Sequence, residues 1–444
     1  MSTPPPLWRT FLAFLLPMML SNILQALFGT INSVYLGQMI GVDALAAVSV
    51  FFPVMFFLIA FVMGLSSGAT VLVGQAFGAG QSDKVKAVAG TTLTVALLLA
   101  IGIALFALLF TRDLLVALAT PADILDAATS YARTMMVTMP LTFAFILASS
   151  MLRGVGDTLT PLVALAISTV IGLVVTPALI RGWLGLPHLG VASAAWASAV
   201  SSLLTLIWLH LYLRRRGHAL AFDAAFLRAM RPDGTLLRTV LRLGIPAALG
   251  MVVMSLAELV LLGLVNGFGS NATAAYGAVN QVLSYVQFPA LSIAISVSIF
   301  GRGQAGQIGA IVGTGLKMNL ILTGGLAALG YLFSRTLMGF FITDPAVLEL
   351  AQGLLHIVLW SSVLFGMSTV FSGSMRAGGT VWMPLLISAL AIMLVEIPSA
   401  IILSRLIGIE GVWVAYPITF CTMFLLQMAY YMLVWRKQTV ERLI

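Results

Sequence analysis

"RGVGDTLTP", residues Arg153–Pro161, returns 223 residues later as "RAGGTVWMP", residues Arg376–Pro384. Each version sets an arginine eight residues before a proline, and each follows a long apolar run. Other landmarks keep nearly the same offset. "VLVGQAFGAGQSDKVKAVAGT" (71–91) faces "VSIFGRGQAGQIGAIVGT" (297–314), with Gly74 against Gly301 at 227 and Thr91 against Thr314 at 223. "LLPMML" (15–20) likewise faces "GIPAAL" (244–249). One Arg-x7-Pro match is cheap, but an offset held at several landmarks reads as an internal duplication of the whole chain.

Composition says what the duplicated unit is made of. Hydrophobic residues make up 61% and charged residues 8% of the 444, against about 25% charged in soluble proteins. The mean hydropathy is +1.10. Apolar runs long enough to cross a bilayer as helices recur near 8–37, 44–75, 87–111, 124–152, 158–180, 188–213, 239–266, 271–300, 309–334, 345–375, 380–404 and 409–436. They are continuous, unlike the alternating strands of a membrane barrel, which are about ten residues long. The expected fold is therefore all-α and integral to the membrane: twelve transmembrane helices in two six-helix bundles. Six spans separate equivalent points, so both halves begin on the same side. That makes a parallel repeat with a pseudo-two-fold axis along the membrane normal, as in secondary transporters whose two bundles rock about a site between them. The polar break "RRRGHALAFDAAFLRAMRPDGTLLR" (214–238) divides the halves. The expected boundaries are 1–217 for the first lobe with the start of the linker, 218–238 for a cytoplasmic linker and 239–444 for the second lobe.

Basic residues set the orientation. With the N-terminus inside, sixteen of the 22 Lys and Arg fall on inner ends and loops. Only Arg112, Arg181, Arg335 and Arg405 fall outside, and Arg133 and Lys317 fall within spans, where they are expected to snorkel or meet helix ends. Both termini are then cytoplasmic and the location is the cell (inner) membrane. The net charge of +8 follows from this topology, so no nucleic-acid partner is expected. "MSTPPPLWRTFLAFLLPMML" (1–20) lacks a basic leader region and a small-residue cleavage site, and is expected to begin the first span. The single Cys421 leaves no intrachain disulfide. Neither a Walker loop nor a His-Glu-x-x-His motif occurs, so ATP drive, metalloprotease chemistry, a cofactor and enzyme activity are not expected.

Three stretches carry a family likeness: "GLSSGATVLVGQAFGAGQSDKV" (64–85), "LRGVGDTLTP" (152–161) and "GLPHLGVASAAWASAVSS" (185–202). Together they resemble the multidrug and toxic compound extrusion (MATE) transporters, and the resemblance covers the whole chain. It implies twelve spans in two lobes, and export of amphipathic, often cationic compounds against inward H⁺ or Na⁺. Its ion-site residues do not all carry over. One branch of the family places an Asp late in the first span and another before a proline in the fifth. This chain has Asn32 in "INS" and Thr176 in "VVTP". Another branch places an acid on the tenth span, where "HIVLWSSVLFGMSTVF" (356–371) has none, and a Glu on the seventh, about one turn before Glu258. Asp157, Thr158 or Thr160 is expected to cap the helix that begins near Pro161.

The residues themselves point to two acids. Glu258, in "MVVMSLAELVLLGLV" (251–265), and Glu396, in "LLISALAIMLVEIPSAIILS" (385–404), are the carboxylates that lie well inside spans. A charge there costs about 2.5–3.5 kcal/mol on insertion scales, which marks a functional position. Each sits about eight residues, roughly 12 Å, from its outer helix end. They are expected to be the proton- or cation-coupling sites, as a pair or singly. Pro398 should kink the helix and free a carbonyl, so Na⁺ at Glu258 and Glu396 stays open, with H⁺ favoured; no other metal site is expected. Gln25, Asn32, Asn280, Gln281 and Gln287 are candidates for lining a substrate cavity, the alternative being interhelical hydrogen bonding. His356 could titrate beside the acids or serve packing. Tyr276 and Trp360 could stack on a cationic compound or sit as interfacial and packing aromatics. The expected function is a cation-coupled antiporter working by alternating access, as a monomer, on amphipathic small molecules in a lipid bilayer. The alternatives are a flippase for a lipid-linked precursor and a non-transporting sensor or scaffold.

Overall fold

Gly156 and Gly379 occupy the same place in the two copies of the opening motif, and both have left-handed backbones, at φ 87° and 82°. The turns around them match bond for bond. Gly156 N–H donates to Arg153 O and Asp157 N–H to Leu152 O; Gly379 N–H donates to Arg376 O and Thr380 N–H to Met375 O, all at 3.0 Å. This is a glycine-terminated helix end in which a six-residue closure satisfies a late carbonyl. The duplication read from the sequence is thus a duplication of backbone geometry.

A computed structural model describes residues 7–40, 42–118, 120, 122–300, 307–342 and 344–437. Gly301, Arg302 and Arg442, used above for the repeat and the charge count, lie outside the described residues. Among the described residues every regular element is helical. In chain order these are α1 (Leu7–Met39), α2 (Val42–Gly78), α3 (Ser82–Ala117), α4 (Leu125–Val137), α5 (Met139–Gly154), α6 (Leu159–Arg181), α7 (Ser193–Arg215), α8 (Ala224–Ala229) and α9 (Gly234–Asn266). There follow α10 (Ser270–Phe300), α11 (Ile308–Leu332), α12 (Ser334–Gly339), α13 (Pro345–Val358), α14 (Ser361–Ala377), α15 (Trp382–Ala391), α16 (Ile397–Ile407) and α17 (Ile409–Leu433). Ten of the described helices are long and apolar enough to cross a bilayer, and two bent pairs bring the number to twelve.

The bent pairs are the fourth and tenth expected spans, which the apolar pattern had presented as unbroken. α4 meets α5 at 50° and α13 meets α14 at 42°. Each break has a local cause. Pro140 in the first turn of α5 has no N–H to continue the ladder. Ser361 instead donates its hydroxyl to Val358 O at 2.6 Å, competing with the backbone for that carbonyl.

The chain forms two compact units, Leu20–Ala248 and Met1–Met19 with Leu249–Leu443. Relative to a division in the linker, the opening turns of α1 and α9 are exchanged, and each transfer falls two residues after a proline, Pro17 or Pro246.

In the amino-terminal unit, small residues let helices approach closely. A Cβ at Gly68 would lie 2.3 Å from Val240 O, and one at Gly154 would lie 3.1 Å from Thr70 O. Thr70 ties α2 to α5 by donating to Ser150 O at 3.1 Å. The linker is docked on α3. Thr94 donates to Met230 O at 2.8 Å, Asp233 N–H to Thr91 at 3.2 Å, and Lys86 to Asp223, which also caps α8. The Lys86 ammonium and the cap bond hold the Asp223 carboxyl below the usual carboxylate range. Asp157 caps α6 by accepting from Thr160 N–H at 2.9 Å.

The carboxy-terminal unit packs one cluster around Phe11, Leu15, Val297 and Phe371, and a second around Trp413, Val279, Leu354 and Leu261. Asn319, fully buried, donates to Val363 O at 3.0 Å and accepts from Thr323 at 2.9 Å, clamping α11 to α14. Gly373 lets α14 close on α10, because a Cβ there would lie 2.4 Å from the Ala294 carbonyl oxygen. Overpacking against backbone costs about 1–3 kcal/mol. Gly373→Ala should therefore lower the thermal midpoint of the detergent-purified protein by several degrees, whereas Gly353→Ala, with nothing within 4 Å of its added Cβ, should not. Equal midpoints for the two variants would contradict this packing.

Candidate functional site

α15 continues into a five-residue π-turn, Ile392–Glu396, before α16 resumes. Ile397 donates its N–H to Ile392 O, five residues back, and Pro398 has no N–H to offer. Met393 and Leu394 carbonyls thereby lose their α-helical donors. Instead of the simple proline kink expected from the sequence, the helix carries an inserted residue, a form that recurs at functional sites. α6 runs through its own Pro177 as a continuous helix.

The turn ends on Glu396, which is only 6% exposed. Among the described residues it is the one buried carboxylate. Glu258, on α9, lies one position off the stripe formed by Ala257, Leu261 and Val265, which face the core. Its own side chain is exposed. The two acids are within charge–charge range of each other. They are therefore neighbours with different settings, one at the surface of the unit and one inside it.

Tyr276 on α10 and Tyr416 on α17 lie within charge range of both acids. Both are buried, and their hydroxyls share a hydrogen bond of 3.0 Å. The Asn280 side chain lies beside Tyr276, one turn along α10. Trp413 packs against both tyrosines, at centroid distances of 5.2 and 5.5 Å. It is fully buried, and its indole N–H has no hydrogen-bond partner.

The structure thus brings Glu258, Glu396, Tyr276 and Asn280 together. Gln287 falls two turns beyond Asn280 on the same face of α10 and is half-buried, as is Gln281. His356 is engaged elsewhere: its Nε2 meets Ser334 Oγ at 2.9 Å and its ring lies 5.1 Å from that of Tyr331. Trp360 is 48% exposed at the break between α13 and α14. In the amino-terminal unit Gln25 is exposed, while Asn32 accepts from the buried Thr176 hydroxyl at 3.4 Å. The two positions at which one family branch carries acids therefore form a neutral contact here. Arg133 is half-buried with its Nε unpartnered, and Lys317 is exposed.

Sequence reading missed Tyr416 and Trp413, because "WVAYPITF" (413–420) looks like ordinary packing in an apolar run. Their signal was a tyrosine before a proline with a tryptophan one turn earlier. That spacing puts two polar-tipped aromatics on one face.

A family model described as MatE matches residues 17–178 and 246–402. The chain is similar to the "Probable multidrug resistance protein YoeA" of Bacillus subtilis (strain 168), 43% identical over 99% of this chain and 96% of that protein. It is also similar to the "Multidrug export protein MepA" of Staphylococcus aureus (strain MRSA252), at 24% over 92% and 89%. Among solved structures, a multidrug resistance MATE family transporter of the MOP superfamily superposes at a TM-score of 0.87, with 20% identity, over 96% of this chain and 95% of that one. A MOP superfamily transporter from Pyrococcus furiosus superposes at 0.86, with 20% identity, over 97% of each.

The exposure difference has a chemical readout. A hydrophobic carbodiimide, which reacts with protonated carboxyls, should modify Glu258 before Glu396, as followed by peptide mass spectrometry over time. Equal rates, or Glu396 first, would contradict the arrangement.

Proposed function

Because this chain belongs to the MatE family, we propose that it is a cation-coupled antiporter exporting amphipathic, often cationic compounds by alternating access. Relatives described as multidrug resistance and multidrug export proteins support the substrate class. The observation that carries the coupling site is the pairing of exposed Glu258 with buried Glu396. The two positions of the amino-terminal unit at which one family branch carries acids hold the neutral Asn32–Thr176 contact instead.

Two carboxylates in mutual range repel when both are ionised, and a proton or cation removes that repulsion. In the cycle we propose, protons from outside neutralise Glu258 and Glu396, which weakens their attraction for a cationic compound. The cargo leaves, the protein turns inward, and proton loss to the cytoplasm restores the charges that attract the next cargo. Neither ligand can drive the cycle unless it binds the two states with different affinity. H⁺ is favoured over Na⁺ because the buried groups beside the acids are two phenols and an indole that offers only a donor, whereas a hard cation needs several oxygen ligands. The protein works as a monomer in the cell (inner) membrane with both termini cytoplasmic, the orientation that puts sixteen of the 22 basic residues inside.

The test is uptake of ethidium into inside-out proteoliposomes under separately imposed pH and Na⁺ gradients. The pH gradient should drive transport in the wild type, and Glu258→Gln or Glu396→Gln should each reduce the driven rate at least ~10-fold, within the usual range of coupling free energies. Full gradient-driven transport in both variants would end the assignment of these sites.

A further inference from the structure

The stretch 214–242 holds seven arginines and no lysine. They are Arg214, Arg215, Arg216, Arg228, Arg231, Arg238 and Arg242, and all seven are exposed. The carboxylates of the same stretch are already committed. Asp223 accepts from Lys86 and from the Phe226 N–H, and Asp233 accepts from the Thr235 and Leu236 N–H groups at 2.8 and 3.2 Å. Neither of the two described ion pairs includes any of the seven.

The backbone that carries these arginines is docked at one end of the amino-terminal unit. Phe222 meets the His210 ring of α7 at 6.1 Å and the Phe226 ring at 4.3 Å. Met230 O and Asp233 N–H are held by Thr94 and Thr91 of α3. α3 has 36 residues, about 54 Å at 1.5 Å per residue, against a hydrocarbon core about 30 Å thick. A helix of that length projects from the core, and the linker packs on its first four turns.

Both flanking helices mark the depth. On α7 the exposed Ile207 and Leu211 are followed along one face by Arg214 and Arg215. On α9 the exposed Arg238 and Arg242 are followed along one face by the exposed Ile245. Each stripe passes between arginine and aliphatic side chains within a turn, as at a boundary between headgroups and acyl chains. Trp208 stacks on Tyr212 at 5.1 Å and Arg216 lies over the Tyr212 ring at 5.0 Å, aromatic pairing suited to that level. Leu227 of α8 is exposed beside Arg228. A positive-inside bias accounts for basic charge here, but lysine would satisfy it equally. Guanidinium groups differ in gripping phosphate oxygens two at a time.

We infer that this arginine face binds the headgroups of anionic phospholipids, with Ile207, Leu211, Leu227 and Ile245 against the acyl chains. The linker is then held between α3 and the membrane surface, where juxtamembrane basic segments gain from anionic lipid. The orientation proposed above makes the leaflet the inner one; the binding itself does not depend on that orientation.

Full-length protein in a neutral detergent is titrated with dioleoyl phosphatidylglycerol or dioleoyl phosphatidylcholine, and bound lipid is counted by native mass spectrometry. Phosphatidylglycerol should bind at least ~10-fold more tightly than phosphatidylcholine, each arginine contributing about fivefold. Arg238→Gln with Arg242→Gln should therefore weaken its binding roughly 25-fold. Arg228→Gln with Arg231→Gln should do the same, and either pair decides the matter if the other does not fold. Arg436→Gln with Lys437→Gln, an exposed basic pair of the carboxy-terminal unit, should leave the binding unchanged. Equal affinity for the two lipids, undiminished binding in the linker variants, or an equal loss in the Arg436, Lys437 variant would overturn the inference. So would displacement of the lipid by inorganic phosphate or polyglutamate, which would assign the face to a soluble anion or an acidic protein.

Discussion

A carboxyl group buried in an apolar bundle must be matched by donors, by a counter-charge or by a proton, and Glu396 lives under that condition. Ion pairs do not supply the match. The two described bridges, Lys86–Asp223 and Arg112–Asp126, lie elsewhere. Within range of Glu396 are a second carboxylate and a hydrogen-bonded tyrosine pair, on which a buried indole packs. Such a site is poised between two charge states, and whatever changes the charge changes which packing is best. That is the property which the coupling role proposed for Glu396 requires.

The surrounding fold serves this site by being rigid where it can be. Gly373 closes α14 on α10, Asn319 clamps α11 to α14, and the cluster around Trp413 and Leu354 fixes α10, α13 and α17. The π-turn at Ile392–Glu396 departs from this regularity beside the acid itself. The α-helical bonds missing at Met393 and Leu394 make this segment the least tied to a regular helix. The breaks between α4 and α5 and between α13 and α14 are of another kind. They occur at matching places in the two halves, so they belong to the duplicated framework rather than to the site.

Much of the fold was legible in the sequence because long apolar runs, basic loops and a repeated Arg-x7-Pro offset each have a single physical reading in a bilayer. The left-handed Gly156 and Gly379 bear out the repeat at the level of one backbone angle. Other features were hidden for specific reasons. The Ser361 hydroxyl that helps break the tenth span looks like any small polar residue in a helix. The exchange of the first turns of α1 and α9 depends on contacts, which periodicity does not encode. At the site, Glu258 and Glu396 stood out as charges in oil, but hydropathy is blind to exposure and presented them as equals. His356 was grouped with them by depth alone, whereas Ser334 holds its ring. Tyr416 and Trp413 were easily passed over because, apart from their one-turn spacing, an aromatic in an apolar run carries no mark of what its polar tip will meet.

Antiport at a shared carboxylate pair requires that cargo and proton displace one another, and this can be measured without a membrane gradient. Binding of tetraphenylphosphonium to the detergent-purified protein in weakly buffered solution near neutral pH, with a pH indicator present, counts the protons released per cation bound. The account predicts stoichiometric release in the wild type and none in the Glu258→Gln, Glu396→Gln double variant. Tight binding by the wild type with no release at any pH would contradict it.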